Sequence, residues 1–310
     1  MIGIRAIASY IPESRLDNIQ QAEKFGESAD FIRDKIGATT LPTMDAGCQA
    51  SDLAAKAVEA LCSQHGLKSG AIDALVVVTQ NPDGMGLPHT AAILHHKLSL
   101  SSRVAAFDVS LGCSGYVYGL SILRGLMEQA GLKNGVLVTA DPYSRVINRE
   151  DRVTSLLFGD AATATWLSED AEWTFRRPLL ETDGSGHDSL YVDDRMQLHM
   201  NGRQVFNFAA VRVPQQIDRY LKDEELNTQD IDLFCLHQGS AAIIDAISRR
   251  YQEVRDRFVK DIRETGNTVS STIPLLLEKY VLGKELNRVL ICGFGVGLSW
   301  ATNVIEKVKK

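Results

Sequence analysis

Four stretches combine residue types that can do chemistry. Cys113 lies in Leu111-Gly112-Cys113-Ser114-Gly115, after an apolar strand pattern and at the start of an apolar helix pattern reading to about residue 130. A thiol at a helix start feels the positive end of the helix dipole, which favours the nucleophilic thiolate. Gly112 and Gly115 beside it let backbone approach a ligand closely. A free cysteine is as often a small core residue, and position alone leaves both readings open. His237 closes the strand pattern Ile-Asp-Leu-Phe-Cys-Leu-His and precedes Gln238-Gly239-Ser240. Ligands bind at the carboxyl ends of strands in open α/β sheets. A histidine there can donate to a developing oxyanion or shuttle a proton; a hydrogen-bonded structural histidine is the alternative. Asn267, in Glu264-Thr265-Gly266-Asn267-Thr268, has amide donors that can assist His237, or it caps the next helix. Cys292-Gly293-Phe294-Gly295-Val296-Gly297-Leu298 places glycine at every second position in a turn between two strands. No phosphate-loop lysine follows, so it reads as backbone packed against a reacting group.

The elements that must position these residues follow an α/β pattern. Strand patterns cover 2–10, 72–79, 104–110, 135–140 and 160–167, and helix patterns cover 48–65 and 113–130, with Leu53, Ala57, Val58 and Leu61 on one face of the first. Residues 72–79 are almost all apolar, as expected of a strand covered on both sides. Residues 169–200 are polar and glycine-rich and read as a connecting loop region. An internal echo runs through the chain. Ile72-Asp73-Ala74-Leu75 and Ile231-Asp232-Leu233-Phe234 each open a strand, followed in order by Gly112-Cys113 or Gly266-Asn267 and then by the strands at Val136 or Val289. Near-equal spacing of three landmarks favours duplication. The expected halves are 1–168, carrying Cys113, and 169–310, carrying His237 and Asn267, packed so that both face one cleft.

Composition narrows the function classes. The 310 residues include 33 basic and 39 acidic side chains, for a formal charge of −6. That balance argues against nonspecific binding to nucleic acid or an anionic membrane surface. No apolar run reaches the ~20 residues of a membrane span, and the start of the chain lacks a signal-peptide layout. Five scattered cysteines without a Cys-x-x-Cys pair exclude a disulfide framework and a cysteine zinc site of the usual spacing, and point to a reducing cytoplasm.

Taken together, Cys113 in LGCSG, His237 in LHQGS, Asn267 in ETGNTVSSTIP and the loop GFGVGLSW resemble the ketoacyl synthase III family of the thiolase superfamily from end to end. Asp151-Arg152 ahead of Phe158-Gly159-Asp160-Ala161, and Met200-Asn201-Gly202 with Val205-Phe206, add to the likeness. The resemblance implies a duplicated five-layer αβαβα fold, a homodimer and a Cys113–His237–Asn267 triad. It also implies thioesters of acyl carrier protein or coenzyme A as substrates, with no permanently bound cofactor. The expected chemistry is acyl transfer to Cys113, with the backbone N–H groups of Cys113 and Val296 as oxyanion hole. Decarboxylative condensation with a malonyl thioester held by His237 and Asn267 then follows. Substrate or carrier contacts are expected from Phe31, Lys35, Arg152, Phe206 and Phe294. Phe31 and Lys35 stand where the family has Trp and Arg. The basic stretch 249–263, with Arg249 and Arg257, is a candidate dock for an acidic carrier protein, or a salt-bridged surface.

Gln238-Gly239-Ser240-Ala241-Ala242 also departs from the family's Gln-Ala-Asn with a following Arg. The triad is thus kept on an altered docking surface. Three rivals remain: an acyltransferase using a non-malonyl nucleophile, a thiolase using Cys292 as a second reactive thiol, and a non-catalytic subunit of the same fold.

Overall fold

The computed structural model describes residues 1–309. Alternate residues of a strand face opposite ways, and in Ala74–Val78 both faces are apolar. Val76 and Val78 pack into a central core with Tyr116, Leu120 and Leu123 of the helix Gly115–Ala130. Leu75 and Val77 face the other way, against Leu53, Ala57 and Leu61 of the helix Ala50–His65. The C-terminal sheet repeats the plan. Val289 and Ile291 of the strand Arg288–Gly295 face the central core, where the helix Thr272–Tyr280 adds Ile273 and Leu277. Leu290 and Cys292 face an outer core built with the helices Gly202–Asp223 and Ala241–Ser248. Helices therefore cover both outer faces and fill the space between two sheets, giving the five αβαβα layers of the thiolase fold.

In the first sheet Ala105–Val109, Ala74–Val78 and Asn134–Ala140 run parallel, and Ala162–Ser168 and Gly3–Tyr10 continue it antiparallel. In the second, Leu233–Leu236 and Arg288–Gly295 are parallel and Ser299–Lys307 returns antiparallel. Trp173–Phe175 pairs with both Gly3–Tyr10 and Ser299–Lys307 and joins the two into one ladder. The sequence echo has a physical basis. The Asp73 carboxylate accepts from the N–H groups of Lys133 and Asn134, both at 2.9 Å. Asp232 does the same for Asn287 and Arg288, at 2.6 and 2.9 Å. Each aspartate ties the start of one parallel strand to the start of the next.

Three sequence expectations change. Residues 169–200 are not simply a connecting loop, because they hold the strands Trp173–Phe175, Leu179–Thr182, Leu190–Val192 and Leu198–Met200. Those strands are short and owe their form to pairing rather than to periodicity. The helix expected from residue 113 begins at Gly115, so Cys113 sits in the turn before it. Gly293 and Gly295 belong to the strand rather than to the turn that follows. No helix among the described residues is long and apolar enough to cross a membrane.

Replacing either Asp73 or Asp232 with alanine orphans two backbone donors at a strand junction. Each substitution should lower unfolding stability by about 1–3 kcal/mol, read as a reduced urea midpoint at constant m-value.

Candidate active site

Cys113 is presented by a tight turn, closed by the Gly115 N–H donating to the Gly112 carbonyl at 2.7 Å. The strand Arg288–Gly295 passes directly over it. A Cβ on Gly293 would collide with the Cys113 carbonyl, and one on Gly295 would lie 2.8 Å from Sγ. The alternating glycines are therefore required by close approach to the thiol. Ser114 and Ser299 join the two segments through their hydroxyls at 2.8 Å.

His237 ends the strand Leu233–Leu236 and Asn267 lies in the loop before the helix Thr272–Tyr280. Both side chains line the same cavity as Cys113, a largely apolar space of ≈ 200 Å³. Cys113, His237 and Asn267 are 5%, 2% and 4% exposed. The Asn267 side-chain oxygen accepts from the Val269 N–H at 2.9 Å. Its amide nitrogen is thereby left as the group that can donate to a ligand. Val269, a β-branched residue, is held at φ 52°, a conformation that costs about 1–3 kcal/mol and is concentrated at functional sites. Its carbonyl accepts from the Thr272 hydroxyl at 3.0 Å, and Thr272 Oγ1 stands 2.8 Å from His237 Nδ1. The single Thr272 hydroxyl proton serves one of two acceptors. Given to Val269, it leaves the threonine oxygen to accept from Nδ1–H and the lone pair on Nε2; given to Nδ1, it leaves the proton on Nε2. The imidazole and the Phe294 ring meet edge to face at a centroid distance of 5.3 Å.

The electrostatics correct the expectation of a resting thiolate. Burial pushes the Cys113 thiol well above its usual pKa, and the charge of Asp141 pushes the same way. The backbone N–H groups of Cys113 and Val296 donate to the sulfur and pull only partly back. Desolvation outweighs the helix end, and the nucleophile rests as a thiol. Burial likewise depresses His237 to about 3, so the imidazole is neutral. A neutral thiol faces a neutral base in an apolar cavity, flanked by two N–H donors and one amide.

The remaining sequence candidates divide. Phe31, Arg152, Phe206 and Phe294 line the cavity. Arg152 lies over the Phe31 ring at 6.0 Å and pairs with Glu27 at 2.6 Å, so its charge is already partnered. Lys35 is exposed and absent from the wall. Arg249 is exposed at the end of the helix Ala241–Ser248, remote from its cavity-lining start at Ser240 and Ile243. Arg257 is half-buried and already held by backbone. Its guanidinium donates to the Gln229 and Ile231 carbonyls at 3.0 and 2.7 Å, tying its own segment to the strand that follows them. Lys260 and Arg263 pair with Asp245 and Glu264, so two of the six basic side chains in the stretch are salt-bridged. Cys292 is sealed in the outer core, pushed up to about 12 by burial, with Thr302 donating to its sulfur. It does not line the cavity, which removes the second thiol of the thiolase rival. Sequence reasoning missed Thr272, Val269 and Tyr143. Thr272 stands in the quoted Asn267 motif, yet only the tertiary fold brings it to His237.

The layers and topology define the class, a thiolase-fold protein with a cavity lined by Cys113. Residues 107–184 match the family model for 3-oxoacyl-[acyl-carrier-protein] synthase III, and residues 221–307 match its C-terminal model. The beta-ketoacyl-[acyl-carrier-protein] synthase III of Streptococcus agalactiae serotype III is 32% identical over 320 residues, covering 98% of each chain. That of Lactococcus lactis subsp. lactis is 30% identical over 326 residues, again covering 98% of each. The crystal structure of the Thermus thermophilus synthase III superposes with a TM-score of 0.90 at 32% identity, covering 99% of this chain and 100% of that one. The chain belongs to the beta-ketoacyl-[acyl-carrier-protein] synthase III family and is a condensing enzyme of that kind.

The protonation states predict how Cys113 meets an alkylating reagent. Iodoacetamide should react slowly at neutral pH, at a rate still climbing above the ordinary thiol value of 9.0. No step should occur near 6.5, because His237 stays neutral down to about 3. A rate plateau below about pH 8 would reveal a resting thiolate–imidazolium pair instead.

Proposed function

We propose that Cys113 carries the acyl group and that His237 and Asn267 serve the two half-reactions in turn. The observation that carries this reading is the convergence of the three side chains on one apolar cavity, with two N–H groups on the sulfur. In the first half-reaction His237 Nε2 takes the thiol proton and sulfur attacks the acyl thioester carbonyl. The N–H groups of Cys113 and Val296 hold the oxyanion. Collapse expels the carrier as a thiolate, which recovers the proton from Nε2. In the second, a malonyl thioester enters with its carbonyl oxygen on the Asn267 amide. Loss of carbon dioxide leaves an enolate whose carbon attacks the acyl-cysteine, giving a 3-oxoacyl thioester and expelling the Cys113 thiolate, which takes one proton from solvent to restore the thiol. Donation from His237 to the enolate oxygen as well uses the tautomer protonated on Nε2, reached by proton exchange with solvent. Thr272 allows this by turning its hydroxyl from Val269 to Nδ1. The chemistry requires no metal or redox cofactor.

Acyl carrier protein is taken as carrier for at least one half-reaction. Glu27 occupies Arg152 at the mouth, and Phe31 offers a smaller ring than Trp, which together weaken a grip on the phosphates and adenine of coenzyme A. Arg249, exposed at the far end of the helix Ala241–Ser248, is the basic candidate for a carrier protein. Two further readings belong here. The duplicated units are taken as 1–168 and 169–310. The enzyme is taken as a homodimer through the strand Ala105–Val109, which ends the sheet with a half-buried apolar sequence and no partner on its outer side among the described residues. Open apolar edges call for pairing. Five free cysteines suit a reducing cytoplasm.

Asn267→Ala tests the division of labour. It should leave Cys113 acylation largely intact and cut condensation by roughly 10²–10³-fold, the worth of one oxyanion donor. Unchanged condensation would remove Asn267 from the malonyl half-reaction.

A further inference from the structure

Asp141 follows the strand Asn134–Ala140 and is 1% exposed. It does not line the cavity and takes no part in the steps above. One carboxylate oxygen accepts from the Gln80 N–H at 2.8 Å and the other from the Ser270 hydroxyl at 3.0 Å. The N–H and side chain of Asn81 donate to the same carboxylate. These donors come from chain segments that back the two sides of the site. Gln80 Oε1 stands where a Cβ on Gly112 would be, directly behind the Cys113 turn, and accepts from the Tyr143 hydroxyl at 3.0 Å. Ser270 follows Val269, whose N–H holds Asn267 and whose carbonyl holds Thr272 against His237.

We propose that Asp141 is a positioning residue for the condensation, locking the Gln80 segment behind Cys113 and the Ser270 segment behind Asn267 so that nucleophile and enolate-oxygen donor keep a fixed spacing. The inference rests on the two half-reactions of the proposed function. A carboxylate suits the task because it accepts four donors at once, which an asparagine oxygen cannot. A misplacement of ~1 Å at a reacting centre can lower a rate by about 10²-fold, so a buried clamp is worth its desolvation. Cys113 and Tyr143 are the titratable groups that feel its charge, and both are pushed up by it. Burial lifts Asp141 itself to about 6, so the clamp is charged at neutral pH and weakens as pH falls through that value. The charge gives Asp141 a signature that mere packing lacks. Removing it must ease ionisation of Cys113 even while condensation slows.

The test compares wild type, Asp141→Asn and Ser270→Ala, with Cys113 acylation, condensation of the pre-acylated enzyme and iodoacetamide alkylation measured separately. Ser270→Ala should lose about tenfold in condensation, the worth of one buried hydrogen bond to a charge, with acylation within about threefold of wild type. Asp141→Asn should lose at least as much condensation, and its alkylation rate should rise at a lower pH than in wild type. Wild-type condensation in Ser270→Ala would overturn the proposal, and that variant decides alone if Asp141→Asn does not fold. An unshifted alkylation profile in a folded Asp141→Asn would overturn it too. Failure of the wild type itself to acylate Cys113 would count against the proposed function instead.

Discussion

The contact between the glycine strand and the Cys113 turn is the constraint on which the rest depends. Cys113 stands on the N-terminal sheet, and the Val296 N–H that donates to its sulfur stands on the C-terminal one. Neither sheet holds a complete site. Gly293 and Gly295 let the two backbones meet at van der Waals distance, with the Cys113 sulfur and carbonyl filling the space that side chains would take. The central helices Gly115–Ala130 and Thr272–Tyr280, packed in one core between the sheets, keep that distance from opening. Because apolar cores are close-packed and shift little, the geometry is set before substrate arrives.

A second consequence of burial is electrostatic. An ionised thiolate and imidazolium would each lose hydration in this cavity; Arg152 in its wall is paired with Glu27, and no cation among the described residues acts on the Cys113 sulfur. The two groups therefore rest neutral. The local donors become important when a tetrahedral oxyanion forms, since preorganised N–H groups in a low-dielectric space stabilise developing charge without reorganising. The strained Val269 belongs to the same design. Its twist lets one residue present an N–H to Asn267 and a carbonyl toward His237 and Thr272, so a single turn orients both partners of the thiol.

Legibility in the sequence followed the range of the forces involved. Ala74–Val78 was readable because both its faces are buried, and the Ile-Asp echo because each aspartate performs the same local task. Position at loops and strand ends left Cys113, His237 and Asn267 with structural alternatives, and it was the family's motifs that grouped the three residues the fold brings to one cavity. The short strands within 169–200 were not, since they form only when a distant strand pairs with them. In the basic stretch, composition does not reveal that Arg257 donates to the carbonyls of residues 229 and 231. The thiol's state misled because a helix end is a local feature, whereas desolvation is a property of the whole fold. Thr272 and Asp141 act only through residues far away in sequence.

The central claim is that Cys113 is where the acyl group is held. Intact-protein and peptide mass spectrometry after brief exposure to an acyl thioester tests it most directly. The account predicts one added acyl mass, located on Cys113 and absent from Cys113→Ala. Label that persists in that variant, or that maps to Cys292, would contradict it.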